Sequence, residues 1–474
     1  MKLLWNKIKK IILSKVIRNL LIILIIYNAY IYTNFYFAAI RNNHIKRIFK
    51  APKIKAPEPD DTILVIAPHP DDEVLGPGGY IKKAIKKGAN VYVIMMTYGD
   101  GYKIAAETEQ NFDGRPASLI KFGKKRRLET ISALEYLGVK EDHIYFLGFP
   151  DRGISYMWIY NWQTLFRSPF TRATYSPYPT SYIKEIPYNG RTVFSVLLRL
   201  IQEIKPNIVF LPSPFDFHVD HWSTYSFSIG AILYLISEKK ISIPFIYTYL
   251  VHYRGFPYPK GYYPKGALLP PKDMEKYNTK WRSYDIEDVE MKKKEAIMKY
   301  KTQLVLLKRL LLSFVRINEL WGEIPEIFIE NTLKTITIPD LLKDVFIDYM
   351  DSGANIRGMN IGKTKDFVVI TIILQRRPSK KFVYHLRVFI PKKTKYIRGL
   401  VSYNIRKEKE VKFYNTDRKY DVKIKRYKNT ITFYLPYSLF ENSNRFLVGC
   451  DTNIYKRHRW PYIDTTGEII VNLR

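Results

Sequence analysis

The sequence predicts three parts in order: one apolar helix, an α/β region whose parallel sheet carries helices on both faces, and an all-β region of the sandwich type. Three observations lead there. Residues 20–40 are almost continuously apolar. Between residues 62 and 250, short β-branched and aliphatic runs alternate with longer amphipathic ones, the pattern of strand–helix–strand units. Beyond residue 335 the amphipathic runs stop, and short strand-like stretches separated by turn residues take over.

The apolar stretch follows a basic segment, residues 1–19, with Lys2, Lys7, Lys9, Lys10, Lys15 and Arg18. Residues 20–40 match the roughly 20 residues that cross a hydrocarbon core. Tyr27, Tyr30, Tyr32, Phe35, Tyr36 and Phe37 suit the aromatic belt at a membrane surface. A cleaved signal peptide is the alternative, but its apolar core would be shorter, roughly 7–15 residues, and Ala38-Ala39 is a poor cleavage site. A single-pass membrane protein anchored by residues 20–40 is expected. Arg41, Lys46, Arg47 and Lys50 follow the span, so the charge asymmetry is slight. It favours a cytoplasmic N-terminus and an extracytoplasmic catalytic region, with the cytoplasmic face left open. Residues 41–60, basic and punctuated by Pro52, Pro57 and Pro59, read as a linker holding the next domain off the bilayer.

The α/β region, residues 61–325, is Rossmann-like in its alternation. Strands are expected near 62–67, 91–96, 143–148, 207–212 and 245–250, and helices near 78–87, 118–137, 192–204 and 222–237. Residues 154–191 break the rhythm with Trp158, Trp162, Tyr175, Tyr178, Tyr182 and Tyr188 among prolines. They could stack on sugar rings or fold on themselves over the sheet edge. Residues 252–280 are a second loop, rich in Pro, Gly and Tyr. A helical stretch from 286 to 320 follows, with Leu304, Leu307, Leu310, Leu311 and Phe314 spaced as a packed face. Residues 335–474 carry expected strands at 368–374, 382–390, 397–403, 430–435 and 468–473 and read as a β-sandwich. Glycan binding and a purely structural role are both open for it.

With 474 residues, 46% hydrophobic and 15% aromatic, the chain can bury more than one sizeable core. The single Cys450 excludes an intrachain disulfide and a cysteine-rich metal site, and is expected as a small core residue in a strand. The formal net charge of +33 would suit an anionic partner. The lysines are spread throughout, without a helix-turn-helix, zinc-finger or RRM signature, so nucleic acid is not an expected partner. Anionic lipid headgroups fit better. No feature of the sequence specifies an oligomeric state.

The chemistry concentrates in two stretches. Ile63-Leu64-Val65-Ile66-Ala67 runs into Pro68-His69-Pro70-Asp71-Asp72-Glu73. The aliphatic run is a strand buried on both faces, and ionisable groups at its C-terminal end stand where open α/β sheets place their sites. Such groups are costly to bury without a partner. An imidazole with carboxylates suits Zn²⁺; the other reading is an acidic turn capping the next helix. A second strand, Asn207-Ile208-Val209-Phe210-Leu211-Pro212, leads into Phe215-Asp216-Phe217-His218-Val219-Asp220-His221. Three of the chain's eight histidines sit in these two stretches and can converge on one site.

The Pro68-His69-Pro70-Asp71-Asp72-Glu73 motif with the later His218-Val219-Asp220-His221 resembles the LmbE-like (PIG-L) family of zinc-dependent N-deacetylases. Thr97-Tyr98-Gly99-Asp100-Gly101, Arg126-Arg127-Leu128-Glu129 and Phe146-Leu147-Gly148-Phe149-Pro150-Asp151-Arg152-Gly153 recur in the family's order. Residues 293–303 and 316–319 match its closing helices. The resemblance covers roughly residues 60–322. It implies His69, Asp72 and His221 as ligands of one Zn²⁺ per chain, and Asp71 as general base. It also implies His218 as the acid that stabilises the oxyanion and protonates the departing amine. Asp220 either holds the tautomer of His218 or caps the following helix. Arg126 and Asp151 match substrate-contacting positions, and Arg152 stands beside them. Glu73 is expected to support the loop.

The expectation is a membrane-anchored hydrolase that removes N-acetyl groups from an N-acetylglucosamine-type amino sugar in a glycan or glycolipid. A zinc amidase acting on a non-sugar amide is one alternative. A non-catalytic, glycan-binding envelope scaffold is the other, from which an enzyme would be told apart by surviving deletion of residues 335–474.

Overall fold

The protein is described by a computed structural model covering residues 2–48, 51–108, 113–277, 279–329, 334–336, 353–454 and 464–473. Helix α1 (Lys2–Ile48) contains a stretch, Ser14–Ile45, that is long and apolar enough to cross a membrane. It does not end where the apolar stretch does. Ala38 and Asn42 are buried against the rest of the chain. The Asn42 side chain donates to the carbonyls of Ala267 (2.9 Å) and Tyr258 (3.2 Å) and accepts from the N–H of Ala267 (3.1 Å). The segment expected to be a tether is therefore helix as far as Ile48 and docked. Beyond it, Pro52 and Ile54 hydrogen-bond Ser283, so this stretch lies along an edge strand.

The central sheet follows from the aliphatic runs. Its parallel strands are β1 (Thr62–Ala67), β2 (Asn90–Thr97), β3 (Ile144–Phe149), β4 (Ile208–Pro212) and β5 (Phe245–Tyr249). Two further strands, β6 (Lys280–Asp285) and β7 (Asn318–Glu323), extend it antiparallel, in the order β3-β2-β1-β4-β5-β7-β6. The sheet is thus mixed rather than wholly parallel. Its helices are α2 (Asp72–Leu75), α3 (Gly78–Lys86), α4 (Lys103–Thr108), α5 (Pro116–Leu137), α6 (Ile154–Ile159), α7 (Gly190–Ile204) and α8 (Val219–Ser237). Strand order reverses direction between β1 and β4, and both polar motifs leave the sheet at the C-terminal ends of these two neighbours. That crevice is where open α/β sheets bind ligands.

The stretch expected as one long helix is α9 (Glu290–Ile297), a bend, α10 (Lys301–Leu311) and then β7. Residues 316–319 lead into a strand, not a helix. Their work is visible: Glu319 accepts from the N–H groups of Gly79 (2.7 Å) and Tyr80 (2.8 Å), and from Lys293 Nζ (2.6 Å). A buried ion pair thereby caps the N-terminus of α3, directly after the first motif.

The C-terminal region forms two sheets with a shared core. One contains β9 (Lys334–Ile336), β10 (Ile356–Lys363), β11 (Phe367–Leu374), β15 (Lys423–Tyr427) and β16 (Thr430–Pro436). The other contains β8 (Ile327–Phe328), β12 (Phe382–Pro391), β13 (Tyr396–Asn404), β14 (Lys407–Tyr414), β17 (Arg445–Ile454) and β19 (Ile469–Asn472), with β18 (Asp464–Thr465) on β17. Alternation along β12 sends Tyr384, Leu386, Val388 and Ile390 into the inter-sheet core. The opposite face is not solvated. Phe389, Leu400, Leu447 and Ile470 join the hydrophobic core of the α/β region. Cys450 is buried in β17 as a core residue.

This contact also decides between the two readings of residues 154–191. Trp158, Trp162, Tyr178 and Tyr188 are fully buried, and Trp158 and Trp162 pack against Phe227 and rings of the β region. These four are interior packing and not a sugar platform, Trp158 and Trp162 at the seam and Tyr178 and Tyr188 within the α/β region, while Tyr175 stays exposed. Deleting residues 335–474 would strip apolar cover from α6, α7 and α8, so that truncation cannot separate an enzyme from a scaffold.

Candidate metal centre

β1 ends at Ala67, and the following turn brings His69, Asp71 and Asp72 to the crevice. The turn is strained: Asp71 has φ 115°, in the region that non-glycine residues avoid. Several groups hold it. Arg126 donates to the Pro70 carbonyl (2.9 Å) and the Gly99 carbonyl (2.6 Å), and Gln303 donates to the Pro70 carbonyl (3.0 Å). Glu73 accepts from the Asp71 N–H (3.0 Å) and from the Tyr300 hydroxyl. Glu73 is thus a loop support. Gly99 has φ +64°, and a Cβ there would stand 1.9 Å from Arg126 Nη1, so only glycine admits this clamp.

From β4, the loop through Asp216 delivers His218 as the N-cap of α8, with Asp220 and His221 in its first turn. Asp72 Oδ2 lies 3.3 Å from His69 Nδ1 and 3.1 Å from His221 Nε2. The three residues expected to hold a metal are therefore brought together. The far nitrogen of each imidazole faces a carboxylate: His69 Nε2 is 3.1 Å from Asp220, and His221 Nδ1 is 3.2 Å from Asp216. This is the outer-shell arrangement that orients metal-binding histidines. Among the described residues, Asp72 Oδ1 and both ring nitrogens of His221 are buried without an aligned hydrogen bond, despite the short contacts. Orphaned polar atoms on buried imidazole and carboxylate groups fit a cation.

Without a cation, the surrounding carboxylates hold two of these imidazoles protonated, and each must lose that proton before it can ligate a metal. Burial favours the neutral forms of His69 and His221. For His69, Asp151, Asp220 and Asp72 outweigh it and raise the imidazole well up; for His221, Asp216 and Asp72 raise it to about 10. The Asp72 carboxyl is pushed up by burial but held well below its usual range by His221 and His69. Asp71 is driven well up by burial and by Asp72. His218 is held well down by burial and by three neighbouring imidazoles, so it is neutral.

Two roles differ from expectation. The Asp220 carboxylate does not hold His218. It faces His69 and accepts from the N–H groups of Arg152 (2.5 Å) and Ile154 (3.2 Å). The backbone N–H of Asp220 donates to His218 Nδ1 (3.2 Å), which leaves the proton of the neutral ring on Nε2. The helix cap is His218 itself. Arg126 lines the cavity, but both terminal nitrogens are committed to carbonyls of the site's own loops. Asp151 accepts from Gly101 N–H (3.0 Å) and stands 3.6 Å from His69 Nε2, while the Arg152 side chain is exposed at the rim. Asp71, Arg126, Asp151, Arg152, His69 and His218 share one cavity of about 260 Å³.

Two site residues escaped the sequence reading. Asp216 accepts from His218 N–H (3.0 Å), Val251 N–H (2.9 Å) and His252 N–H (3.0 Å) besides facing His221, tying the ends of β4 and β5 together. His252 lines the cavity, with its ring 4.9 Å from His221, and with Asp72 and His221 it forms one of three groupings that could hold an ion, the others being His69, His218 and His221, and His69, Asp151 and Asp220. A histidine three residues beyond a strand neighbouring β4 was the available signal.

A family profile described as PIG-L, GlcNAc-PI de-N-acetylase, matches residues 64–232. These residues are a PIG-L family domain. Over 162 residues the chain is 27% identical to a diacetylchitobiose deacetylase of Thermococcus kodakarensis, a match covering 34% of this chain and 44% of that protein. The chain thus spans less than half the length of this curated relative. Among solved structures, the chain is similar to an N,N'-diacetylchitobiose deacetylase from Pyrococcus horikoshii, with 23% identity, 52% of this chain and 74% of that one covered, and a TM-score of 0.33. It is also similar to GalB, the 4-carboxy-2-hydroxymuconate hydratase of Pseudomonas putida, with 16% identity, coverage of 57% and 99%, and a TM-score of 0.37.

Proposed function

We propose that the PIG-L domain hydrolyses the acetamide of an N-acetylglucosamine-type amino sugar, releasing acetate and a free amine, with one zinc ion and with α1 as its membrane anchor. The observation that carries this reading is the convergence of His69, Asp72 and His221, with Asp72 Oδ2 within 3.3 Å of a nitrogen of each ring, where His69 also lines the cavity that contains Asp71 and His218. The homology to a sugar deacetylase supports the substrate class. At about 260 Å³ the cavity is at the small end of ligand sites, suited to one acetamido ring with the remainder of a glycan outside.

His69, Asp72 and His221 would hold the ion, with Asp220 and Asp216 fixing the two imidazoles. When bound, a zinc ion supplies the Lewis acidity that lowers the pKa of water and polarises a carbonyl. Asp71 accepts a proton from the attacking water, whose oxygen bonds to the acetamide carbon. His218 donates a hydrogen bond from Nε2 to the carbonyl oxygen as negative charge develops there. When the C–N bond breaks, the proton held by Asp71 passes to the departing amine. This assigns that proton to Asp71 rather than to His218, because the Asp220 N–H occupies His218 Nδ1 and leaves the ring to donate from Nε2 alone. Arg152, exposed at the rim, is placed to contact the sugar.

The test uses the full-length chain in nanodiscs, since α1 is docked on the domain. Metal content and acetate release from N-acetylglucosamine and its oligomers are measured on one sample. About one zinc per chain, with release abolished by a chelator, is the expected result. Zinc without release from any N-acetyl sugar, but with release from simple acetamides, would move the chain to a non-sugar amidase. No bound metal would sink the catalytic reading.

A further inference from the structure

Helix α10 has two working faces. Gln303 and Leu307, four residues apart, line the catalytic cavity. The neighbouring face carries Lys301, Val305 and Arg309, again at intervals of four, with Leu306 and Lys308 beside them. Among these, Val305 is 56% and Leu306 44% exposed. α4 packs on α10 and adds Ile104, 64% exposed. Single exposed apolar residues are ordinary, but here an adjacent apolar pair on α10 stands between cations, and α4 adds Ile104 beside the Lys103–Glu107 pair. α10 contains no acidic residue, and its cations bracket the apolar pair at both ends.

The position of this face identifies its partner. A Cβ on Gly261 would meet the Phe35 ring at 3.5 Å and Arg309 Cγ at 4.0 Å, so α1 and α10 flank the same loop. Phe35 lies where the apolar stretch of α1 gives way to Arg41, the level of a bilayer surface. Arg309, one helical turn from Val305 and Leu306, is at that level too.

We propose that the α10 face, with Ile104, inserts into the headgroup layer of an anionic bilayer beside α1, so that the mouth of the catalytic cavity opens onto the membrane surface. The inference rests on reading α1 as a membrane anchor and commits to the lipid surface as occupant. Apolar side chains flanked by lysine and arginine are what an interfacial helix presents, and each cation near an anionic surface adds to the attraction.

The experiment uses the full-length chain in vesicles containing phosphatidylglycerol. The one native cysteine, Cys450, is buried, so single spin labels can be introduced by Leu306→Cys, Ile25→Cys and Ile243→Cys. Ile25 is in α1; Ile243 is exposed at the opposite end of the sheet from the site. Accessibility to oxygen, which partitions into lipid, is compared with accessibility to a water-soluble nickel chelate. The expected result is that the labels at positions 306 and 25 are shielded from nickel and reached by oxygen, while position 243 remains open to nickel. The shielding at 306 should weaken severalfold in neutral phosphatidylcholine vesicles. A label at 306 as accessible to nickel as that at 243, with 25 still in lipid, would overturn the inference while leaving the anchor intact. A label at 25 open to nickel would overturn the anchor and the inference together.

Discussion

Two clusters of charge lie buried in this protein, and they are built to opposite specifications. In the PIG-L domain, His69, Asp72, His221 and Asp216 crowd together with nitrogens and an oxygen that find no aligned partner. In the seam with the β region, Arg387 is equally buried, and each contact is made. Its Nε donates to Glu468 (2.7 Å), one Nη to Asp451 and the other to Thr465 (3.2 Å), while Glu468 also accepts from Trp158 Nε1 (2.6 Å) and the Ser226 hydroxyl. Burial favours a neutral guanidine, yet Glu468 and Asp451 overcome it and raise Arg387 further. A satisfied network fixes the docking of two regions, whereas an unsatisfied one waits for a ligand.

The contrast can be broken by substitution, and the largest effect belongs to the open cluster. Asp72→Ala should abolish stoichiometric metal binding, read by elemental analysis, and with it all acetate release. Asp71→Asn should keep the metal and lower turnover by about 10²–10⁴-fold; wild-type turnover would remove Asp71 from the chemistry. Glu468→Ala should behave in the other way. Breaking a buried ion pair costs about 3–5 kcal/mol, so thermal or urea unfolding should shift markedly while the folded fraction binds metal with wild-type affinity. A weakened metal affinity in that variant would show that the seam and the centre are one unit.

Two smaller effects sharpen the boundary between them. Asp216→Asn should weaken metal affinity about 10–100-fold through His221, the usual cost of losing an outer-shell partner. Arg152→Ala should raise KM severalfold with kcat nearly unchanged, since the side chain is exposed and touches none of the reacting atoms. A fall in kcat instead would place Arg152 in the chemistry.

Sequence made some of this legible for a physical reason. β1 and β4 are continuous aliphatic runs that end in histidine and aspartate, so strand, direction and site were written in adjacent residues. The roles of Asp216, Asp220 and His252 were not, because they depend on which strand ends become neighbours. The sequence left Asp220 between holding His218 and capping the following helix, but the first turn of α8 aims its carboxylate at His69, 151 residues away. Strands β14 and β15 went unseen because edge strands rich in Lys and Glu, such as Lys407–Tyr414, lack an apolar run. Trp158 and Trp162 were ambiguous until the outer face of β12 was found against them.

The continuity of α1 carries a further consequence. A flexible tether of 20 residues would let a domain wander roughly 25 Å from its root. Here the helix runs unbroken from its apolar stretch to the clamp at Asn42, and the distance from Phe35 to Asn42 along it is about 10 Å. In a membrane such a stiff mount allows rotation and lateral drift but little vertical travel. Under the proposed anchoring, the search for substrate would become two-dimensional, and the domain would serve molecules that share its own membrane while those on a facing membrane stay out of reach.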